Sequence, residues 1–158
     1  MGFVTKLDHI AVTVSSLERS LPFYTEVLGL KEIERHRLEG ATISTMAGKP
    51  SVIMQVVRLA SPDTPEVLVD LQQYLEPKGV VSNAALGMAN HSHFCFGVKN
   101  MDAAYQQLRA KGVEFVSPPV TFDLGEDWDY GALKVVFFKD PDGFVLELVE
   151  MPEKTHKN

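Results

Sequence analysis

The chain has 158 residues, of which 45% are apolar and 23% charged, with a formal net charge of −6 at pH 7. This length and balance predict one globular domain or two small modules sharing a core, and the acidic charge argues against non-specific nucleic-acid binding. No apolar run approaches the roughly 18 residues of a membrane span, the N-terminus lacks a signal-peptide core, and Cys95 is the single cysteine, so we expect a protein of the reducing cytoplasm.

The first half of the chain is predicted to form a strand, a helix and three further strands. Residues 7–14 alternate as a strand, and Ser15 to Glu18 has the spacing of a capping box with Ser15 as the N-cap. Apolar residues at helical spacing then continue to Gly29, and Pro22 is expected to kink this helix or tighten its first turns. Further strands are predicted at 31–38, 51–59 and 66–74, with an unassigned connection at 40–50.

The second half repeats this order after a connection at residues 76–90. A strand is predicted at 93–98, followed by a helix that Asn100 caps and Gly112 ends. Later strands are predicted at 113–117, 134–138 and 144–150, with a loop at 118–131. The predicted organisation is one domain of residues 1–158, with module 1 at 5–75 and module 2 at 91–151.

Each half begins with a histidine and ends with a carboxylate among apolar residues. His9 and His93 open the first strand of their halves, and Asp70 and Glu147 lie in the last strands. Two such halves can close one site lined by two imidazoles and two carboxylates. A buried carboxylate without a partner costs several kcal/mol, so Glu147 needs a nearby cation if it faces the interior, and a metal fits.

This order and its end motifs resemble the vicinal oxygen chelate superfamily, which includes glyoxalase I, methylmalonyl-CoA epimerase, extradiol dioxygenases and the bleomycin resistance proteins. The resemblance covers nearly the whole chain. It implies an α+β fold of two βαβββ modules, whose curled mixed sheets enclose a metal-binding cleft, in a homodimer. The segments that carry it are residues 7–14, 23–30, 93–96 and 138–148.

The resemblance implies that His9, His93 and Glu147 bind a divalent metal, which is Zn, Ni, Co, Mn or Fe(II). The internal repeat makes Asp70 the expected fourth ligand. Asp is one methylene shorter than the Glu or Gln usual in the family, which puts its reach to the metal in question. The alternatives for the fourth position are Gln72, Gln55 and water.

The number of ligands separates the functions that the resemblance implies. Four ligands indicate a glyoxalase I-like lyase or an epimerase, in which the metal stabilises an enediolate and Glu147 or Asp70 is the catalytic base. Three ligands indicate an Fe(II) extradiol dioxygenase that cleaves a catechol. A non-catalytic drug- or ligand-binding resistance protein is the third alternative, but such proteins usually lack the metal ligands. The presence of Asp70 favours the lyase or epimerase, acting on a small molecule with vicinal oxygens.

Three residues are expected to contact this substrate. Arg37 belongs to a cluster of charges on the second strand, where alternate side chains could reach a substrate anion. Trp128 and Tyr130 lie in an acidic loop and are costly to leave exposed. A charged outer face and a solvated connection are the simpler explanations of these features.

Overall fold

The computed structural model describes residues 2–65, 68–82, 85–89, 91–123 and 131–152. The chain divides into two compact units, residues 1–82 and 83–158, and the boundary falls within the predicted connection at 76–90. The assignment of both units to one domain stays a prediction. Among the described residues, no helix has the length and apolar character needed to cross a membrane.

The first unit is built on an open four-stranded mixed sheet with strand order β1-β4-β3-β2. The first and last of these strands pair in parallel, and the other pairs are antiparallel. The strands are β1 (His9–Thr13), β2 (Lys31–Glu39), β3 (Ile53–Ala60) and β4 (Leu68–Glu76).

Helix α1 (Leu17–Pro22) follows β1 and continues as a π-helical turn at Phe23–Val27. Its N-cap is Ser16, whose Oγ accepts a hydrogen bond from the Arg19 N–H at 3.3 Å. The predicted cap at Ser15 is therefore wrong by one residue, because the chain is still extended at Ser16, with φ −152° and ψ 117°.

The helix widens after Pro22 instead of tightening. Proline has no N–H to donate within a helix, and the Leu28 N–H donates to the Phe23 carbonyl, five residues earlier, at 3.0 Å. This is the hydrogen bond of a π-turn. The predicted end at Gly29 is confirmed by its positive φ of 85°, a conformation that glycine adopts without strain.

A short helix, α2 (Ala41–Met46), occupies the connection that the sequence left unassigned. Ile43 of this helix belongs to a buried apolar cluster with β3 and the residue before it. The helix therefore covers part of one face of the first sheet. The cluster consists of Ile43, Val52, Met54 and Val56, with Ala47 and Tyr74 packed against it.

The second unit has the same sheet, with strand order β5-β8-β7-β6 and a parallel pair between its first and last strands. This repetition confirms the predicted two-module α+β fold. Helix α3 (Met101–Ala110) has the predicted N-cap, since Asn100 Oδ1 accepts a hydrogen bond from the Ala103 N–H at 2.9 Å. The strands are β5 (Cys95–Gly97), β6 (Val120–Asp123), β7 (Ala132–Lys139) and β8 (Val145–Glu150).

The strand predicted at 113–117 is wrong. Within it only Phe115 makes a bridge, to Phe138, and β6 instead lies at Val120–Asp123, inside the predicted loop. Pro118 and Pro119 separate the two segments, and proline cannot donate a ladder hydrogen bond. The segment before the prolines therefore pairs with β7 only at this bridge, through hydrogen bonds of Val116 with Phe137 and of Lys139 with Glu114, and the continuous ladder of β6 starts after the prolines.

Asp140 organises the turn that leads into β8. Its carboxylate is buried, and Oδ1 accepts hydrogen bonds from the backbone N–H groups of Asp142 and Phe144, both at 2.8 Å. Gly143 has a φ of 83° in the same turn. Because β8 carries Glu147, the turn places one of the predicted metal ligands.

We predict that Asp140→Ala lowers the free energy of unfolding by about 2 kcal/mol, because two backbone donors lose a charged acceptor. Urea denaturation checks this, with Asp63→Ala in an exposed turn as a control that should change stability by less than about 0.5 kcal/mol. Equal stability of the two variants would show that the turn does not need the Asp140 carboxylate.

Candidate metal centre

His93 and Glu147 lie side by side on one face of the second sheet. The register sets Cys95 beside Glu147, and His93, two residues earlier, points to the same face. The distance from His93 Nε2 to Glu147 Oε2 is 3.1 Å. Two ligand atoms at right angles, each about 2.1 Å from a metal, are about 3.0 Å apart. The contact is a hydrogen bond in this structure, and its length is also close to the spacing of two neighbouring ligands of one divalent ion.

His9 and Asp70 have the equivalent positions in the first sheet. The register sets Ala11 beside Asp70, again two residues after the histidine. His9 Nε2 lies 3.8 Å from Asp70 Oδ2, and the Asp70 side chain is only 4% exposed. The first unit thus repeats the arrangement of the second with a longer distance and a more deeply buried carboxylate.

Asp8 contacts the other nitrogen of the His9 ring. Its Oδ2 lies 3.1 Å from His9 Nδ1, and Lys6 Nζ lies 2.9 Å from its Oδ1. The hydrogen bond with Lys6, followed by that with His9, lowers the pKa of the Asp8 carboxyl to about 2. A carboxylate on one ring nitrogen orients the other toward a ligand position, and here Nε2 faces Asp70.

Arg58 holds both oxygens of Asp70. Its Nε donates to Asp70 Oδ1 at 2.8 Å and its Nη2 donates to Oδ2 at 2.9 Å. Its Nη1 donates to Glu34 Oε1 at 2.9 Å. The hydrogen bonds with Asp70 raise the pKa of the Arg58 guanidinium. Asp70 is therefore one member of a bidentate ion pair across β3 and β4.

Sequence reasoning did not identify Arg58 or Glu34. The available signal was a single arginine within the apolar run of residues 56–60. A charge among apolar residues needs a partner when it is buried, but its partner could not be named before the strand register was known.

The two units differ at the position of Arg58. The register pairs Phe137 with Glu147, just as it pairs Arg58 with Asp70. The Phe137 ring lies edge-on to the His93 ring, with centroids 5.1 Å apart. A phenyl ring offers no hydrogen-bond donor, so this position cannot hold Glu147 as Arg58 holds Asp70.

Three of the remaining predicted site residues, Gln72, Gln55 and Arg37, lie on the first sheet, but not all on the same face. Gln72 shares the face of Asp70, whereas Gln55, three residues from Arg58 along β3, lies on the opposite face. Arg37 is opposite Gln55 in the register of β2 and β3, so its side chain lies on the face away from Asp70. There its Nε forms an ion pair with Glu39 Oε2 at 2.9 Å. Trp128 and Tyr130 lie outside the described residues.

Neither unit holds a complete ligand set by itself. His9 lies near Asp70 in the first unit and His93 near Glu147 in the second, but nowhere among the described residues are three His, Cys, Asp or Glu side chains grouped so that they could hold a metal. The imidazole nitrogens and the Glu147 carboxylate fit a hard or borderline divalent ion. Asp70, as it is placed, is committed to Arg58.

Cys95 lies beside Glu147 in the strand register, two residues after His93. Desolvation of its thiolate, and then the charge of neighbouring Glu147, raise the pKa of the Cys95 thiol to about 12. A thiol is nucleophilic only as the thiolate, so Cys95 is a weak nucleophile at neutral pH.

We predict that Cys95 reacts with iodoacetamide at pH 8 at least about 100-fold more slowly than N-acetylcysteine, because a raised pKa lowers the thiolate fraction. The rate should still be rising at pH 10. Mass spectrometry of the alkylated protein measures it, and Glu147→Gln should react somewhat faster because one source of the pKa shift is removed. A rate equal to that of the free thiol would contradict this environment for Cys95.

Comparison with known proteins supplies the evolutionary context of this arrangement. Residues 6–148 match the family model of the Glyoxalase/Bleomycin resistance protein/Dioxygenase superfamily. A crystal structure of a glyoxalase family protein from Bacillus cereus superposes with a TM-score of 0.77 at 19% identity, covering 95% of this chain and 96% of that one. At this identity the structural likeness concerns the fold.

Two relatives are similar over most of the chain. A lactoylglutathione lyase of Escherichia coli O157:H7 is 29% identical, covering 92% of each chain. A 2-epi-5-epi-valiolone epimerase of Actinomyces sp. is 30% identical, covering 92% of this chain and 79% of the epimerase. The chain spans about half, 49%, of the length of the Schizosaccharomyces pombe lactoylglutathione lyase, to which it is 29% identical.

Proposed function

We propose that this chain, which belongs to the Glyoxalase/Bleomycin resistance protein/Dioxygenase superfamily, is a divalent-metal-dependent lyase of the glyoxalase I type. The observation that carries the proposal is the His93–Glu147 pair at ligand spacing, in a register that His9 and Asp70 repeat. The relatives named as a lyase and an epimerase support an enzyme. The homodimer and the cytoplasmic location stay predictions.

The proposed metal ligands are the Nε2 atoms of His9 and His93 and the carboxylate of Glu147. Imidazole and carboxylate together suit Zn, Ni, Co, Mn and Fe(II). Such a metal, when bound, supplies a Lewis acid for the vicinal oxygens of a small substrate. Asp8 contributes by orienting His9 through its Nδ1 atom.

Glu147 is the proposed general base. It is 18% exposed on its side chain, so a substrate can reach it, whereas the Asp70 side chain is 4% exposed and bonded to Arg58. Glu147 would take a proton from the carbon next to a carbonyl and return it to the neighbouring carbon, which is a hydrogen shift without net oxidation. Phe137 lies beside Glu147 in the strand register.

A second candidate function is ring cleavage of a catechol by an Fe(II) dioxygenase. The observation that favours it is the engagement of Asp70 by Arg58, because it leaves two histidines and one carboxylate as ligands, the set typical of non-haem iron oxygenases. We place this function second because the named relatives are a lyase and an epimerase.

We predict that the protein, purified without added metal and then reconstituted, binds one divalent ion per chain and converts an adduct of methylglyoxal with a thiol. His93→Ala and Glu147→Gln should lower kcat/KM by about 10³-fold or more, because each removes a ligand and the second also removes the base. Metal analysis and an absorbance assay of the adduct measure both quantities.

Glu39→Gln, an exposed carboxylate change on β2, is the control and should leave both quantities unchanged. If the protein epimerises an acyl-CoA and has no lyase activity, the proposed function changes from a lyase to an epimerase. Iron retention with catechol cleavage would support the second candidate. Failure of the wild type to bind any metal after reconstitution would overturn the enzyme proposal.

A further inference from the structure

We propose that Arg58 withholds Asp70 from the metal by holding both of its carboxylate oxygens. Arg58 is then a positioning residue, and Asp70 is its partner instead of a fourth ligand. The inference rests on the proposed function, because it concerns the ligands of the same site.

The hydrogen bonds of Asp70 are already taken up by Arg58. Both of its oxygens accept hydrogen bonds from Arg58, at 2.8 and 2.9 Å, in the two-pronged geometry in which guanidinium and carboxylate bind most strongly. The carboxylate is almost completely buried. Moving it to a metal would break or weaken an ion pair whose loss is costly in a buried position.

The positive charge of Arg58 also disfavours a metal ion bound to Asp70. A guanidinium stays protonated in proteins, so Arg58 cannot release a proton and become a neutral neighbour of the metal. A dication held by Asp70 would lie beside this fixed positive charge. Repulsion between them disfavours the simultaneous use of Asp70 by Arg58 and by a metal.

The surroundings of the carboxylate differ between the two units. Glu147 is longer than Asp70 by one methylene, lies 3.1 Å from its histidine instead of 3.8 Å, and has Phe137 at the position that Arg58 occupies beside Asp70. The second carboxylate is thus available for the metal, whereas the first is committed.

Glu34 stabilises Arg58 from the other side. It accepts a hydrogen bond from Arg58 Nη1 at 2.9 Å, and its second oxygen lies 3.1 Å from His36 Nε2. Arg58 therefore keeps an anionic partner when Asp70 is neutralised. This makes Asp70→Asn a variant that can retain the fold, since the amide also keeps an acceptor for one Arg58 donor.

The test is the affinity for Co²⁺, measured by competition with a chromophoric chelator on the full chain. Asp70→Asn should bind Co²⁺ with an affinity within about threefold of the wild type, whereas Glu147→Gln should bind at least about 100-fold more weakly. Changing a residue that only hydrogen-bonds to a metal ligand already lowers metal affinity by about 10- to 100-fold. Arg58→Gln should bind about tenfold more tightly, because Asp70 becomes free to coordinate.

The double variant Arg58→Gln/Asp70→Asn should return to the affinity of the wild type, because the gained ligand is removed again. The visible absorption of bound Co²⁺ should change in Arg58→Gln and stay unchanged in Asp70→Asn, a signature that a purely structural role of Arg58 would not move. If Arg58→Gln does not fold, the Co²⁺ affinities of Asp70→Asn and Glu147→Gln still show whether Asp70 is a ligand.

If Asp70→Asn lowers the Co²⁺ affinity as strongly as Glu147→Gln does, Asp70 is the fourth ligand. That result would overturn this inference and leave the proposed function intact. A wild type that binds no Co²⁺, Zn²⁺ or Ni²⁺ would overturn the proposed function and, with it, the role given to Arg58.

Discussion

The parallel pairing of the first and last strands in each unit is the constraint on which the candidate site depends. In both sheets the residue two positions after the histidine pairs with the carboxylate, which brings an imidazole and a carboxylate together on one face. A slip of one residue in this register would turn every side chain of a strand to the other face.

The two units use the same scaffold with different chemistry around the carboxylate. In the first unit Asp70 is paired with Arg58, which also contacts Glu34, whereas in the second Phe137 lies beside Glu147 and His93. One carboxylate is thereby fixed as part of an ion pair, and the other is left available to bind a metal or accept a proton.

The sequence could predict features that depend on local chemistry. The cap at Asn100 and the helix end at Gly29 follow from residue type, and the repeated order follows from hydrophobic alternation. It could not predict β6, because the prolines at 118 and 119 displaced the strand from its apolar segment. Nor could it predict the partner of Arg58, since that contact exists only after β3 and β4 have paired.

We have proposed that His9, His93 and Glu147 bind a metal while Asp70 stays paired with Arg58. A crystal structure of the Zn²⁺-loaded protein, with anomalous data collected at the zinc edge, tests it most directly. The account predicts one zinc ion about 2.0–2.2 Å from the nitrogens of His9 and His93 and an oxygen of Glu147, with the Arg58–Asp70 pair unbroken. An Asp70 oxygen within that distance, or zinc bound away from these histidines, would contradict it.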